Sequence, residues 1–209
     1  MDSIYFNSRY TFDISRRKVW KAICEYLQVY IPEHASVLEL GAGYCNFINQ
    51  ISAHKKYALD ANPDVAKYCD IGVEFIHSTI DNISTSIGVV DVIFASNLLE
   101  HLCDQELQKL FIQIKKLLKL GGKIILIQPN IFYCYREYWD DFTHIKAFSH
   151  ISLNDFLRSQ GFKVIMLEER FLPFSFKSKL PKFYILTRLY LKLFWRPMAK
   201  QMLLVAEKI

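Results

Sequence analysis

The stretch Ser36-Val-Leu-Glu-Leu-Gly-Ala-Gly-Tyr-Cys45 decides the reading of this chain. A short, mostly apolar run passes straight into two glycines two residues apart, the pattern of a buried strand that ends in a tight turn. Glycine has no Cβ, so such a turn lets a ligand approach the backbone, and a helix N-terminus behind it favours negative charge. Phe47, Ile48 and Ile51 predict that following helix. Upstream, Val19, Trp20, Ile23, Cys24, Leu27 and Ile31 recur at helical spacing over 13–31, with Pro32 as the stop. Downstream, strands are predicted at 56–60, 73–76, 89–95, 123–128, 163–167 and 201–206. A helix over 104–120 carries Leu107, Leu110, Phe111, Ile114, Leu117 and Leu118 on one face, and Gly121 closes it. A further helix is opened by Ser152 and Asp155 and ends at Gly161. Strands that alternate with helices, several of them uniformly apolar, predict an α/β fold. Its seven-stranded, mostly parallel sheet is doubly wound, with helices on both faces and the last strand antiparallel. Ligands in such sheets bind beyond the carboxyl ends of the strands.

Composition narrows the classes. The chain has 209 residues, 52% hydrophobic, 15% aromatic and 22% charged, which is core-forming material and excludes a disordered chain. Its five cysteines (24, 45, 69, 103 and 134) are scattered without a C-x-x-C pair, which speaks against a disulfide framework or zinc ribbon and for a reducing cytosol. The start Met-Asp-Ser-Ile has neither a basic nor an apolar signal region, and the charge-free run 124–135 is short for a membrane span. The net charge of +5 is uneven. Residues 170–209 hold nine basic residues and one acid, which leaves 17 basic and 20 acidic residues in 1–169.

The strand ends carry the chemistry. Asp60 follows the second strand, 17 residues beyond Gly43, where a carboxylate can accept hydrogen bonds from both ribose hydroxyls. A dinucleotide fingerprint would place a third glycine at 46, where this chain has Asn46. The fourth strand ends in Asn97-Leu-Leu-Glu-His-Leu102. In order and spacing, VLELGAG (37–43), ALDANPD (58–64), VDVIFASNLLEHL (90–102) and LKLGGKIILIQPN (118–130) resemble the class I S-adenosylmethionine-dependent methyltransferases, a Rossmann-like family. Asp141-Phe-Thr-His144 and Phe148-Ser resemble its small-molecule branch, in which the segment after the fifth strand covers the substrate.

The resemblance implies S-adenosylmethionine as cofactor and a role for each matching residue. Glu39, Gly41, Ala42 and Gly43 would surround its methionine part, and Asp60 would hold the ribose diol. Ala61 and Asn62 would lie beside the adenine, and Asn97 and Leu98 would pass under the methionine end. Two positions depart from the pattern: Cys45 replaces a small residue, and Thr79, followed by Ile80, stands where an acid often receives the adenine amino group. The layout expected is one domain over 1–209. Residues 1–35 form a helical cap, 36–130 the cofactor half, and 131–150 and 171–200 substrate-side insertions.

Transfer of an already activated methyl group asks the protein mainly for proximity and alignment, about 7–11 kcal/mol. A hydroxyl acceptor also gains roughly 10²–10⁴-fold from a base near neutral pKa, and His144 and His101 are the candidates. His101 and Cys103 at i, i+2 are no metal pair, and no metal is expected. The aromatics of 131–150 (Phe132, Tyr133, Tyr135, Tyr138, Trp139, Phe142, Phe148) predict a hydrophobic lid that also walls an acceptor pocket.

In the tail, Arg188, Lys192, Arg196 and Lys200 repeat every four residues, opposite Leu186, Leu189, Tyr190, Leu193 and Phe194. This stripe is either a solvated helix face or a contact for an anionic acceptor or a membrane surface; nucleic acid is not expected. The segment LPKFYILTRLYLKLFWRPMAKQMLLVA (180–206) resembles bacterial methyltransferases associated with glycan assembly. That resemblance implies O-methylation of a sugar, nucleotide-sugar or lipid-linked glycan precursor, in the cytoplasm or at the inner face of a membrane. Two other readings stay open: a non-catalytic module that keeps the fold and binds a membrane or partner, and a nicotinamide-dependent oxidoreductase.

Overall fold

The computed structural model describes residues 13–80, 82–83, 87–173 and 183–209. Phe174, Phe176, Lys177, Lys179 and Lys182 of the basic aromatic segment, and 1–12 of the expected cap, lie outside the described residues. Among the described residues seven strands form one sheet: β1 (Ser36–Leu40), β2 (Lys55–Asp60), β3 (Val73–His77), β4 (Val90–Ser96), β5 (Leu118–Pro129), β6 (Phe162–Pro173) and β7 (Ala199–Lys208). Their order is β3-β2-β1-β4-β5-β7-β6. Neighbours from β3 to β5 pair in parallel, and β7 runs antiparallel between β5 and β6. The expected α/β fold with an antiparallel last strand is thus observed.

Period-two alternation explains how both faces are filled. Leu38, Leu40, Ile93, Ala95, Ile124, Leu126 and Leu204 face one layer, with Leu107, Leu110, Phe111 and Ile114 of α2 (Asp104–Leu117) and Leu153 and Leu157 of α4 (His150–Ser159). Val37, Val92, Phe94, Ile125, Ile127, Leu203 and Val205 face the other, with Val19, Ile23 and Leu27 of α1 (Ile14–Leu27) and Leu191 of α5 (Tyr184–Lys192). Phe47 stacks on Phe94 at 3.6 Å between ring centroids. Among the described residues the remaining α-helix, α3 (Ile131–Cys134), is a single turn. No helix among the described residues is long and apolar enough to cross a membrane.

Four local expectations need correction. Residues 43–50 form successive turns and not a helix, because the Ile48 N–H is taken by the buried Glu39 carboxylate at 3.0 Å. Leu118 begins β5, where it pairs with Val90, so α2 stops at Leu117. The cap of α4 is a box made by Ser149 and Ser152, one turn before the expected Ser152 and Asp155. The basic stripe does not form: α5 ends at Lys192, Arg196 is buried against Glu168, and Lys200 sits on β7, ion-paired with Glu137.

Candidate active site

β1 and β4 are parallel neighbours, with β2 on the far side of β1 and β5 on the far side of β4. The chain therefore reverses its winding at the carboxyl ends of β1 and β4, where open sheets bind ligands. Gly41 to Gly43 leave β1 there. The N–H groups of Gly41 and Ala42 both donate to the Leu59 carbonyl of β2, at 2.9 and 3.1 Å. Gly41 and Gly43 hold left-handed φ values of +66° and +53°. A Cβ on Gly41 would lie 3.3 Å from Leu98 Cδ1, whereas one on Gly43 would meet nothing within 4 Å. Gly41 is therefore a packing glycine, and Gly43 offers its bare backbone to open space.

Asp60 fixes this turn. Its Oδ2 accepts the Gly43 N–H at 2.9 Å and its Oδ1 accepts the Asn62 N–H at 2.9 Å. A carboxylate has about four acceptor sites, so two are left for hydroxyls of a ribose. Glu39 lies beneath the turn at 5% exposure, where burial raises its pKa well above the usual carboxylate range against the Ile48 N–H. It holds the turn's shape from below. The Asn62 side chain accepts from Asp64 N–H at 3.0 Å, and the Ala61 carbonyl faces His77 Nε2 at 3.1 Å. Thr79 is exposed and Ile80 packs against the core.

Beyond β4, Asn97 also takes a left-handed φ, +51°. Its N–H donates to the Ile127 carbonyl at 2.9 Å, and its Oδ1 accepts from Gln201 Nε2 at 2.9 Å. Gln201 was not anticipated. The signal for it is a lone amide at the entry to the apolar run Met202–Ala206 of β7, where it is 2% exposed. Gln128 ends the apolar run of β5 in the same way. It is buried, and neither amide atom has a hydrogen-bond partner among the described residues.

His101 and His144 come together although 43 residues separate them, with ring centroids 5.0 Å apart. Glu100 joins them: one ligand-capable atom from each of Glu100, His101 and His144 lies within 4.8 Å of the others. Backbone hydrogen bonds hold the segments in place, because the Ile145 and Lys146 N–H groups donate to the Glu100 carbonyl at 2.9 and 3.1 Å. His101 Nδ1 lies 3.2 Å from the Thr143 carbonyl and 3.0 Å from its hydroxyl, and His144 Nδ1 lies 2.7 Å from the Tyr138 carbonyl. A carbonyl only accepts, so the neutral rings carry their proton on Nδ1 and their lone pair on Nε2. Burial lowers the His101 pKa, with the Thr143 carbonyl opposing it.

Glu100 is 1% exposed, and neither carboxylate oxygen has a hydrogen-bond partner among the described residues. Burial pushes its pKa up to about 8; its own amide N–H offsets part of this without bonding either oxygen, and the Asp141 charge adds to it. In the covering segment, Tyr138 and Phe148 are core residues, while Phe132, Tyr135, Trp139 and Phe142 are exposed.

Comparison with known proteins gives the family and the fold. A methyltransferase-domain family model covers residues 12–167, three quarters of the chain. Curated proteins give no match. Among solved structures, the chain is similar to an S-adenosylmethionine-dependent methyltransferase from Archaeoglobus fulgidus. The two are 20% identical over 98% of each chain, with a TM-score of 0.68. A Mesorhizobium loti S-adenosylmethionine-dependent methyltransferase is 17% identical over 90% of this chain and 98% of its own, at 0.64. The N-methyltransferase NodS of Bradyrhizobium japonicum WM9, solved with S-adenosylhomocysteine, is 14% identical over 92% and 85%, at 0.61. A glycine turn clamped by Asp60, a left-handed Asn97 at the switch point and a family match over most of the sheet lead to one assignment: the chain belongs to the class I S-adenosylmethionine-dependent methyltransferases.

Proposed function

We propose that this methyltransferase methylates an oxygen of a small-molecule acceptor, a sugar, nucleotide-sugar or lipid-linked glycan precursor. The observation that carries the reading is the grouping of buried Glu100 and half-buried His101, just beyond the Asn97 turn, with buried His144 of the covering segment. S-adenosylmethionine, when bound, supplies an activated methyl group on a sulfonium. Asp60 takes the ribose hydroxyls. The backbone of Gly41, Ala42 and Gly43 approaches the methionine part, Asn97 and Leu98 lie beneath it, and Ala61, Asn62, Thr79 and Ile80 border the adenine. An alcohol is a poor nucleophile until its proton is drawn away, and His101 and His144 are the groups in this half that act on it.

A lipid-linked acceptor is favoured by the tail. Ile185, Leu186, Leu189, Phe194 and Trp195 are at least half exposed, beside Arg188 and Lys192. Arg170 lies 5.6 Å from the Trp195 ring and 5.0 Å from that of Tyr133, which links this face to the segment over the cluster. Apolar side chains beside cations fit an anionic membrane surface. The test has two parts. Calorimetry should show one S-adenosylhomocysteine per chain and no NAD. Tritiated-methyl transfer to extracted bacterial lipid-linked glycans should exceed that to amines. Methylation of amines alone would remove the oxygen reading, and absence of S-adenosylhomocysteine binding would favour a non-catalytic module.

A further inference from the structure

We propose that Glu100, His101 and His144 bind one divalent transition-metal ion at the acceptor side of the site. This rests on the methyl-transfer reading and alters the part played by the two imidazoles, from proton acceptors to ligands. Several observations converge. Two nitrogens and one carboxylate oxygen already lie within 4.8 Å of one another. A cation at about 2.0–2.2 Å from each would draw them to roughly 3–3.5 Å, a change within reach of side-chain rotation. Glu100 is 1% exposed with both oxygens unpartnered, and a buried carboxylate in that condition is costly unless a charge or donors compensate it. Lys146, whose N–H contacts the Glu100 carbonyl, commits its ammonium to Asp104 and does not compensate it.

The imidazoles are prepared for ligation. Each presents Nδ1 to a backbone carbonyl, Thr143 for His101 and Tyr138 for His144, which sets the Nδ1–H tautomer and makes Nε2 the basic nitrogen. Metal-bound histidines are oriented by this kind of outer contact. Thr143 is held in turn, its N–H and hydroxyl both donating to Asp141 Oδ1 at 3.1 and 2.7 Å. Two imidazoles and one carboxylate suit zinc, manganese, iron or cobalt better than magnesium or calcium, and three protein ligands leave positions for a substrate oxygen. The ion would orient an acceptor hydroxyl and lower its pKa, a task a neutral imidazole performs less strongly.

The test uses the full chain stripped with a chelator and titrated with Co²⁺, read by its visible absorption, with S-adenosylhomocysteine affinity measured alongside. One equivalent of Co²⁺ should bind and be displaced by Zn²⁺. Glu100→Gln and His144→Ala should each weaken Co²⁺ binding about tenfold or more while leaving S-adenosylhomocysteine affinity unchanged. Should Glu100→Gln lose S-adenosylhomocysteine binding through misfolding, His144→Ala decides. Failure of the wild-type chain to bind Co²⁺ while it binds S-adenosylhomocysteine overturns the metal site and leaves the methyltransferase reading intact. Undiminished Co²⁺ binding in the folded variants overturns it equally. Loss of S-adenosylhomocysteine binding by the wild-type chain removes the reading beneath it.

Discussion

The two glycines of the β1 turn should respond differently to the same small change. Both have positive φ, so alanine at either costs about 1–2 kcal/mol in backbone strain alone. For a chain of this size, each kcal/mol lowers Tm by about 2–4 °C. At Gly41 the new methyl would also stand 3.3 Å from Leu98 Cδ1, and Leu98 packs against the core layer of α2. Gly41→Ala should therefore show the larger Tm loss. At Gly43 nothing lies within 4 Å of the added methyl. Its effect on folding is limited to the strain, and its bulk projects into the space proposed for the cofactor. Gly43→Ala should lose only a few degrees of Tm and weaken S-adenosylhomocysteine binding about tenfold or more, about 1.4 kcal/mol. Differential scanning fluorimetry and calorimetry on the two variants measure both quantities. Unchanged affinity in a folded Gly43→Ala protein would refute the placement of the cofactor over this turn.

Three further outcomes are expected. Asp91 receives the Lys119 ammonium at 2.6 Å and the Ser36 N–H and hydroxyl at 2.8 and 2.7 Å, which outweigh its partial burial and bring its pKa from 3.8 to about 2. A carboxylate held low in the folded state stabilises it above the unfolded pKa and loses that contribution as pH falls from about 4 towards 2. Asp91→Asn should then cost about 1–2 kcal/mol at pH 7 in urea melts and approach wild type near pH 2. Arg196, 8% exposed and paired with Glu168, should cost about 3–5 kcal/mol on change to Ala, while exposed Lys192→Ala stays within about 0.5 kcal/mol; equal losses would put both in one solvated stripe. Gln201→Leu strips Asn97 of a buried partner, so thermal melts should show a loss of about 1–3 kcal/mol with a fall in turnover, and unchanged turnover would make Gln201 structural only.

The central strands were readable because each apolar run in β1, β4 and β5 is buried on both faces and the glycine pair marks where β1 must stop. Local periodicity could not reveal partners. Leu118 fits the stripe of α2 as well as any leucine, and only its pairing with Val90 across the sheet draws it into β5. Arg196 and Lys200 obey a four-residue repeat in sequence, yet α5 ends at Lys192 before either of them, and their carboxylate partners, Glu168 and Glu137, come from distant segments. His101 and His144 were recognisable as reactive types. Glu100 between them was not, since a glutamate beside Leu99 gives no sign that tertiary packing will strip it of water.

The place of β7 has a consequence for how the chain is made. Of the seven strands it comes last in chain order, yet it fills an interior position between β5 and β6 and pairs along both of its edges. Until residues 199–208 have emerged, the apolar edge of β5 stands unpaired and β6 has no neighbour, an arrangement prone to pairing with other chains. Asn97 also waits for its Gln201 partner. The Asn97 turn can therefore be completed only after β7 inserts, a late, long-range step in folding.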